Sequence, residues 1–141
     1  MKDEASRPPL QTAPPVVAPK STLWRSFGWA FEGLAYGWRS QRNLKIHTTI
    51  SVGIVLVGLW ARLPLRDWAV IALTIGIVVA AELMNTALEA LVDLASPGRH
   101  PLAKAAKDTA AAAVLCLAIA AVVVGALLVG PPLLARLGLF R

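Results

Sequence analysis

Between Ile46 and Ala135 the chain carries three long apolar stretches, separated only by two short polar connections. Ile46–Ala61 holds 16 residues without a formal charge if His47 is neutral. It falls slightly short of the ~20 residues a bilayer core needs, and Leu44 and Leu63 extend it. The second stretch starts at Trp68, is uncharged through Ala81, and continues past Glu82 and Glu89 to about Ala95. The third is uncharged from Thr109 to Ala135, with Gly130-Pro131-Pro132 marking its expected end. The connections are Arg62–Asp67 and the turn-forming Ser96-Pro97-Gly98-Arg99-His100-Pro101. No segment alternates as a strand would, and no repeat is visible. Composition agrees: 57% of the 141 residues are hydrophobic and only 16% charged, against about 25% charged in soluble domains. A disordered chain and an ordinary water-soluble globule are both poor descriptions.

Two segments precede the first stretch. Residues 1–20 carry Pro8, Pro9, Pro14, Pro15 and Pro19, so a disordered or extended tail is expected rather than a signal peptide. From residue 21 to 45, Trp24, Phe27, Phe31, Leu34 and Trp38 recur every three or four residues, with Arg25, Glu32, Arg39, Arg42 and Lys45 among them. That spacing predicts an amphipathic helix lying in a membrane interface, with Ser21 a candidate cap. The expected fold is therefore an all-α membrane protein: an N-terminal amphipathic interfacial helix and three transmembrane helices, over about 44–63, 67–95 and 102–130.

The net charge of +6 comes from 14 Lys and Arg against 8 Asp and Glu. Lys2, Arg7, Lys20, Arg25, Arg39, Arg42 and Lys45 precede the first span, and Arg99, Lys104 and Lys107 follow the second. Only Arg62, Arg66, Arg136 and Arg141 stand on the opposite side. Ten against four places the N-terminus and the Ser96–Pro101 turn in the cytoplasm and the C-terminus outside. Binding to anionic headgroups fits this charge better than binding to nucleic acid. The lone Cys116 can form no intramolecular disulfide, and is expected to be a small buried apolar residue.

The residues that a membrane tolerates least lie together in the second span. At ~100° per residue, Glu82, Asn85, Glu89 and Asp93 share one face within ~80°. Glu82 and Glu89 are ~10 Å apart along the axis. One unpaired charge at mid-bilayer costs at least ~2.5–3.5 kcal/mol, so such a stripe marks a functional site unless partners repay it. Lys104, Lys107 and Asp108 begin the next helix and face the lower part of this one. Phosphoryl transfer asks for this set: oxygen ligands for Mg²⁺, a cation against phosphate, and a base for the attacking hydroxyl. Glu89 and Asn85 suit metal and phosphate positioning, Lys107 suits charge neutralisation, and the deeper Glu82 suits the base. No soluble-kinase phosphate loop is present. Blander roles stay open: Asp93 ending its helix against Lys104 or Arg99, Asp108 pairing with Lys107 or Lys104, and Lys107 snorkelling to the interface. His47 and His100 are expected to be structural or interfacial.

Glu82-Leu-Met-Asn85-Thr-Ala-Leu-Glu89-Ala-Leu-Val-Asp93 resembles the signature of the small bacterial integral-membrane lipid kinases, the prokaryotic diacylglycerol kinase and undecaprenol kinase family. Ser96–Asp108 resembles the family's second block, and Arg42-Asn43-Leu-Lys-Ile-His47 the block before the first span. The resemblance covers roughly residues 24–130. It implies a multi-pass protein of the bacterial plasma membrane, a homotrimer using ATP and Mg²⁺, with its active site at the cytoplasmic interface. It also implies Glu82 as general base, Asn85 at the phosphates, Glu89 as a metal carboxylate, and Lys107 and Asp108 around the nucleotide phosphates. Many members have a glutamate at the position of Gln41 that helps to bind a second metal; an amide oxygen there can ligate but contributes no charge. The R-N-x-x-I-H and H-P-L-A-K blocks resemble the undecaprenol kinase branch, so the expected reaction is undecaprenol to undecaprenyl phosphate. Diacylglycerol phosphorylation is the alternative within the enzymes; a carboxylate-switched transporter and a non-catalytic membrane protein are the alternatives outside them.

Overall fold

The computed structural model describes residues 22–139; the expected tail 1–20 and Ser21 lie outside them. Four helices follow in order: α1 (Leu23–Ser40), α2 (Arg42–Ala61), α3 (Leu65–Ala95) and α4 (Pro101–Arg136). The last three are long and apolar enough to cross a bilayer. With 31 and 36 residues, α3 and α4 exceed the ~30 Å hydrocarbon core by several turns, at ~1.5 Å per residue. That excess length lets their charged ends stand clear of the hydrocarbon.

The amphipathic helix ends earlier than its spacing suggests. α1 stops at Ser40, Gln41 is extended at φ −107° and ψ 117°, and Arg42 and Lys45 belong to α2. α1 is apolar along one stripe, whereas α2 is apolar nearly all round, so the chain must change direction where one pattern gives way to the other. A single extended residue makes that change, its N–H donating to the Gly37 carbonyl. Thr22 occupies the N-cap of α1 and makes no side-chain cap bond. Gly37 brings α1 down onto the other helices: a Cβ there would stand 2.7 Å from Leu83 Cδ2 and 3.3 Å from Leu44 Cδ2.

The α2–α3 connection is tight. Arg62 takes the left-handed conformation (φ 58°), and the Leu63 N–H donates back to the Gly58 carbonyl at 3.1 Å. This is a six-to-one helix stop, followed by Pro64, which could not have continued the helix. Gly58 admits Leu63 and Trp68, since a Cβ would lie 2.8 and 2.9 Å from them. Leu63, Ile71 and Val129 form the buried core here, with Ile54, Val57, Trp68, Ile75 and Leu128 packed around it.

At the other end His100 caps α4, its Nδ1 accepting from the Leu102 N–H at 3.2 Å, with Pro101 in the first helical position. This is the structural role expected of that histidine. Two features differ from expectation. α4 runs through Pro131 and Pro132 to Arg136 instead of ending there. Proline keeps a helical φ, but it removes its own N–H from the ladder and crowds the carbonyl four residues back; both prolines stand in the last turns before Arg136, where little helix remains to disrupt. Cys116 is exposed, not buried. α4 buries only Val114 and Val129 fully, and hydrocarbon accommodates an outward apolar side chain as well as protein does.

Candidate functional site

The helical period alone places Glu82, Asn85, Glu89 and Asp93 on one face of α3, and packing decides which of them are enclosed. Glu82 is 1% exposed and Asn85 7%, Glu89 is half-buried and Asp93 exposed. The stripe therefore grades from the protein interior to the surface over about 16 Å of helix axis. Thr86, also buried, returns its hydroxyl to the Glu82 carbonyl at 2.8 Å and adds no free polar group.

α2 and its leading residue close over the buried end. Gln41 Nε2 donates to Glu89 Oε2 at 2.8 Å, and Asn85 Nδ2 donates to Glu89 Oε1 at 3.0 Å. Both carboxylate oxygens of Glu89 are thus held by amides, one from each side. His47, one and a half turns into α2, brings Nε2 to 3.2 Å from Glu82 Oε1. Among the described residues it is the one cation-capable side chain within ion-pair distance of Glu82. The contact is not aligned as a hydrogen bond, so Glu82 Oε1 and Asn85 Oδ1 remain buried without a hydrogen-bond partner. Buried polar oxygens are rarely left so. Two such acceptors side by side mark a place built to receive a donor or a cation.

These groups line a cleft of about 280 Å³, with Asn43 from α2 and Ala111, Val114, Leu115 and Ala118 from α4. Beyond His47 and Ala118, which line both spaces, an apolar cavity of about 150 Å³ continues between α2, α3 and α4. Its hydroxyl-bearing walls are silent: Ser51 and Thr74 donate to the carbonyls of His47 and Val70 in their own helices. A polar cleft and an apolar one thus meet at His47, whose Nε2 is 3.2 Å from the buried carboxylate.

The remaining predicted residues form a second cluster. Lys107 pairs with Asp93, and Lys104 with Asp108. Asp93, Lys104 and Lys107 line a cleft of about 550 Å³ at the α3–α4 turn, with Arg99 and His100. Asp93 lies one turn beyond Glu89, so Lys107 adjoins the first cluster at ~6 Å along the axis. Asp108 does not line that cluster's cleft, which joins Gln41, Glu82, Asn85 and Glu89; its partner is Lys104 on the same helix. His47 was the residue that periodicity missed. Nothing in the spacing of α2 marks it, because its role depends on α2 packing against α3.

Mg²⁺ takes hard oxygen ligands, commonly one or two carboxylates completed by water and phosphate. Among the described residues no three His, Cys, Asp or Glu side chains cluster as a metal cage. The Glu89 carboxylate and the orphaned Asn85 oxygen nevertheless fit the sparser pattern, as does the Gln41 amide once its oxygen is turned inward.

Comparison with known proteins bears on the chemistry. The family model for prokaryotic diacylglycerol kinase matches residues 28–129. A Synechocystis protein named diacylglycerol kinase is 46% identical over 135 residues, covering 92% of this chain and 76% of that one. The undecaprenol kinase of Bacillus subtilis is 38% identical over 111 residues, 79% of this chain and 90% of its own. The diacylglycerol kinase of Escherichia coli K12 is 26% identical over 99 residues, 70% and 81% respectively. The chain belongs to the prokaryotic diacylglycerol kinase family.

Proposed function

We propose that this member of the prokaryotic diacylglycerol kinase family transfers the γ-phosphate of ATP to the hydroxyl of a membrane lipid alcohol, with undecaprenol as the substrate. The lipid-kinase reading rests on the family match and on membrane-crossing helices. The observation that carries the site is the buried Glu82 carboxylate, which lines a polar cleft and touches His47, a residue that also lines an apolar cavity. A lipid alcohol is itself divided in that way: its tail suits the apolar space and its hydroxyl the polar one.

In this reading the lipid hydroxyl comes to Glu82, which accepts its proton as the oxygen attacks the γ-phosphorus. The bond from that phosphorus to the bridging oxygen breaks, and ADP leaves. Glu89 and Asn85, with Gln41 beside them, would hold Mg²⁺, which would supply charge neutralisation for the transferring group. Lys107 adds a cation one turn away. Its pairing with Asp93 is partly exposed and worth ~0–1 kcal/mol, so phosphate oxygens can displace it. Asp93 then serves to hold Lys107 ready, and Asp108 acts at the outer edge of the nucleotide through Lys104. The lysine and arginine distribution supports a cytoplasmic site, as ATP requires. The apolar faces left on α2, α3 and α4 by a single chain accord with a homotrimer in a plasma membrane. Residues 21–141 act as one lipid-kinase domain behind a Pro-rich tail.

Undecaprenol is favoured by the Arg42-Asn43-Leu-Lys-Ile-His47 and His100-Pro101-Leu-Ala-Lys104 blocks, which resemble the undecaprenol kinase branch, and the Bacillus subtilis enzyme is 38% identical. Diacylglycerol is the second reading, favoured by the name of the 46% identical relative. The test is transfer of radiolabelled γ-phosphate from Mg-ATP by the detergent-purified protein, with both lipids offered in parallel and Glu82→Gln as the blank. Label in undecaprenyl phosphate is expected. Label mainly in phosphatidic acid would exchange the substrate and keep the mechanism. Label in neither, with no ATP binding by the folded protein, would sink the kinase reading.

A further inference from the structure

We infer that His47 is a positioning residue for Glu82: it holds one oxygen of the buried carboxylate, so that the other faces the lipid hydroxyl. The inference rests on the reading of Glu82 as the general base.

Three observations lead to it. First, Glu82 is 1% exposed, and a carboxylate so enclosed needs a partner that can neutralise it. The charged side chains of the second cluster are engaged elsewhere, Lys107 with Asp93 and Lys104 with Asp108. His47 Nε2, 3.2 Å from Glu82 Oε1, is the group within reach. Second, the contact is one-sided. It engages Oε1, the oxygen buried without any hydrogen bond, and leaves Oε2 free of protein donors among the described residues. A small rotation of the imidazole would align its N–H on Oε1, fixing the carboxylate plane at the moment the hydroxyl arrives. Third, His47 stands at the junction, lining both the polar cleft and the apolar cavity. An imidazole there turns a polar edge to Glu82 and an apolar face to a hydrocarbon tail. Its own backbone carbonyl is already occupied by Ser51, which ties the residue's position to α2.

A merely structural histidine would lower stability and leave the chemistry of folded molecules alone. A positioning one lowers kcat through Glu82. The experiment is steady-state phosphotransfer by purified, full-length His47→Ala, His47→Gln, Glu82→Gln and the Glu82→Gln/His47→Ala double variant. Retained fold and oligomeric state are checked by circular dichroism and size exclusion.

For His47→Ala we expect a fall in kcat of roughly 10- to 100-fold, the range seen when an orienting partner of a functional side chain is removed. KM for Mg-ATP stays unchanged, because Gln41, Asn85 and Glu89 are untouched. His47→Gln, which keeps an N–H donor, recovers most of the loss, and added imidazole restores part of it to His47→Ala. The double variant is no slower than Glu82→Gln alone, as expected of residues acting as a unit. Wild-type kcat in His47→Ala overturns the inference, as does a double variant slowed by the full product of both losses. If His47→Ala does not fold, His47→Gln and His47→Met decide: equal kcat in these two overturns it. Should Glu82→Gln itself remain active, the base reading fails, a result distinct from an inactive Glu82→Gln beside a fully active His47→Ala.

Discussion

The two halves of α3 follow opposite rules. Toward the Arg62 turn, Ile71 is buried among apolar neighbours, Val78 is buried as well, and the hydroxyl of Thr74 is satisfied within its own helix. Past Ala81 the buried residues are Glu82, Asn85 and Thr86, and two of their oxygens have no hydrogen bond. The first half satisfies every local preference of a membrane helix. The second sets aside the strongest of them, that buried polar atoms be paired. Departures of this kind are where function is expected. The first half holds the second in place.

The comparison can be broken at either half. The largest effect is expected from Glu82→Gln: phosphotransfer falls by about 100-fold or more, the range for loss of a general base. The fold persists, because an amide fills the same space without a carboxylate to bury. Turnover and thermal unfolding, measured on the same preparation, check both statements. Leu63→Ala should do the reverse. It empties part of the core around Ile71 and Val129 and lowers stability by ~2–5 kcal/mol, with kcat per folded molecule unchanged. A denaturant titration with an activity assay separates the two quantities.

Two smaller effects refine the polar half. Lys107→Ala should raise KM for ATP by about 10-fold, equal to ~1.4 kcal/mol, close to the lower end of the ~1.5–3 kcal/mol range for hydrogen bonds to charged groups, and leave KM for the lipid alone. An unchanged KM for ATP would make the Asp93–Lys107 pair a surface contact only. Gln41→Glu, the mildest change, replaces an amide donor to Glu89 by a second carboxylate. It should lower the Mg²⁺ concentration for half-maximal rate about severalfold, since carboxylate count tunes cation affinity. An unaltered Mg²⁺ titration would show Gln41 to be remote from the ion.

Much of this was legible before any coordinates. Membrane helices announce themselves by length and apolarity, and the alignment of Glu82, Asn85, Glu89 and Asp93 follows from 3.6 residues per turn. The sequence also offers Lys104 as a partner for Asp108, which the structure bears out; for Asp93 it offers Lys104 or Arg99, whereas the partner is Lys107. What it missed depends on contacts between helices. The extended Gln41 ends α1 early and swings its side chain onto Glu89. His47 gains its meaning only from the side of α3 that α2 faces. Cys116 points outward because one narrow face of α4 is used for packing.

The sequence by itself determined that this chain has three helices long and apolar enough to cross a membrane behind an amphipathic one, and that one helix carries a polar stripe. Those are local properties: apolar length, charge placement and periodicity, each set within a few turns. Only the tertiary structure decided that the stripe divides into a buried cluster and an exposed one, that Gln41 before α2 and His47 within it join the buried cluster, and that an apolar cavity adjoins that cluster at His47. The reason is physical: burial belongs to packed surfaces, and residues 35 positions apart, such as His47 and Glu82, share an environment only when their helices meet.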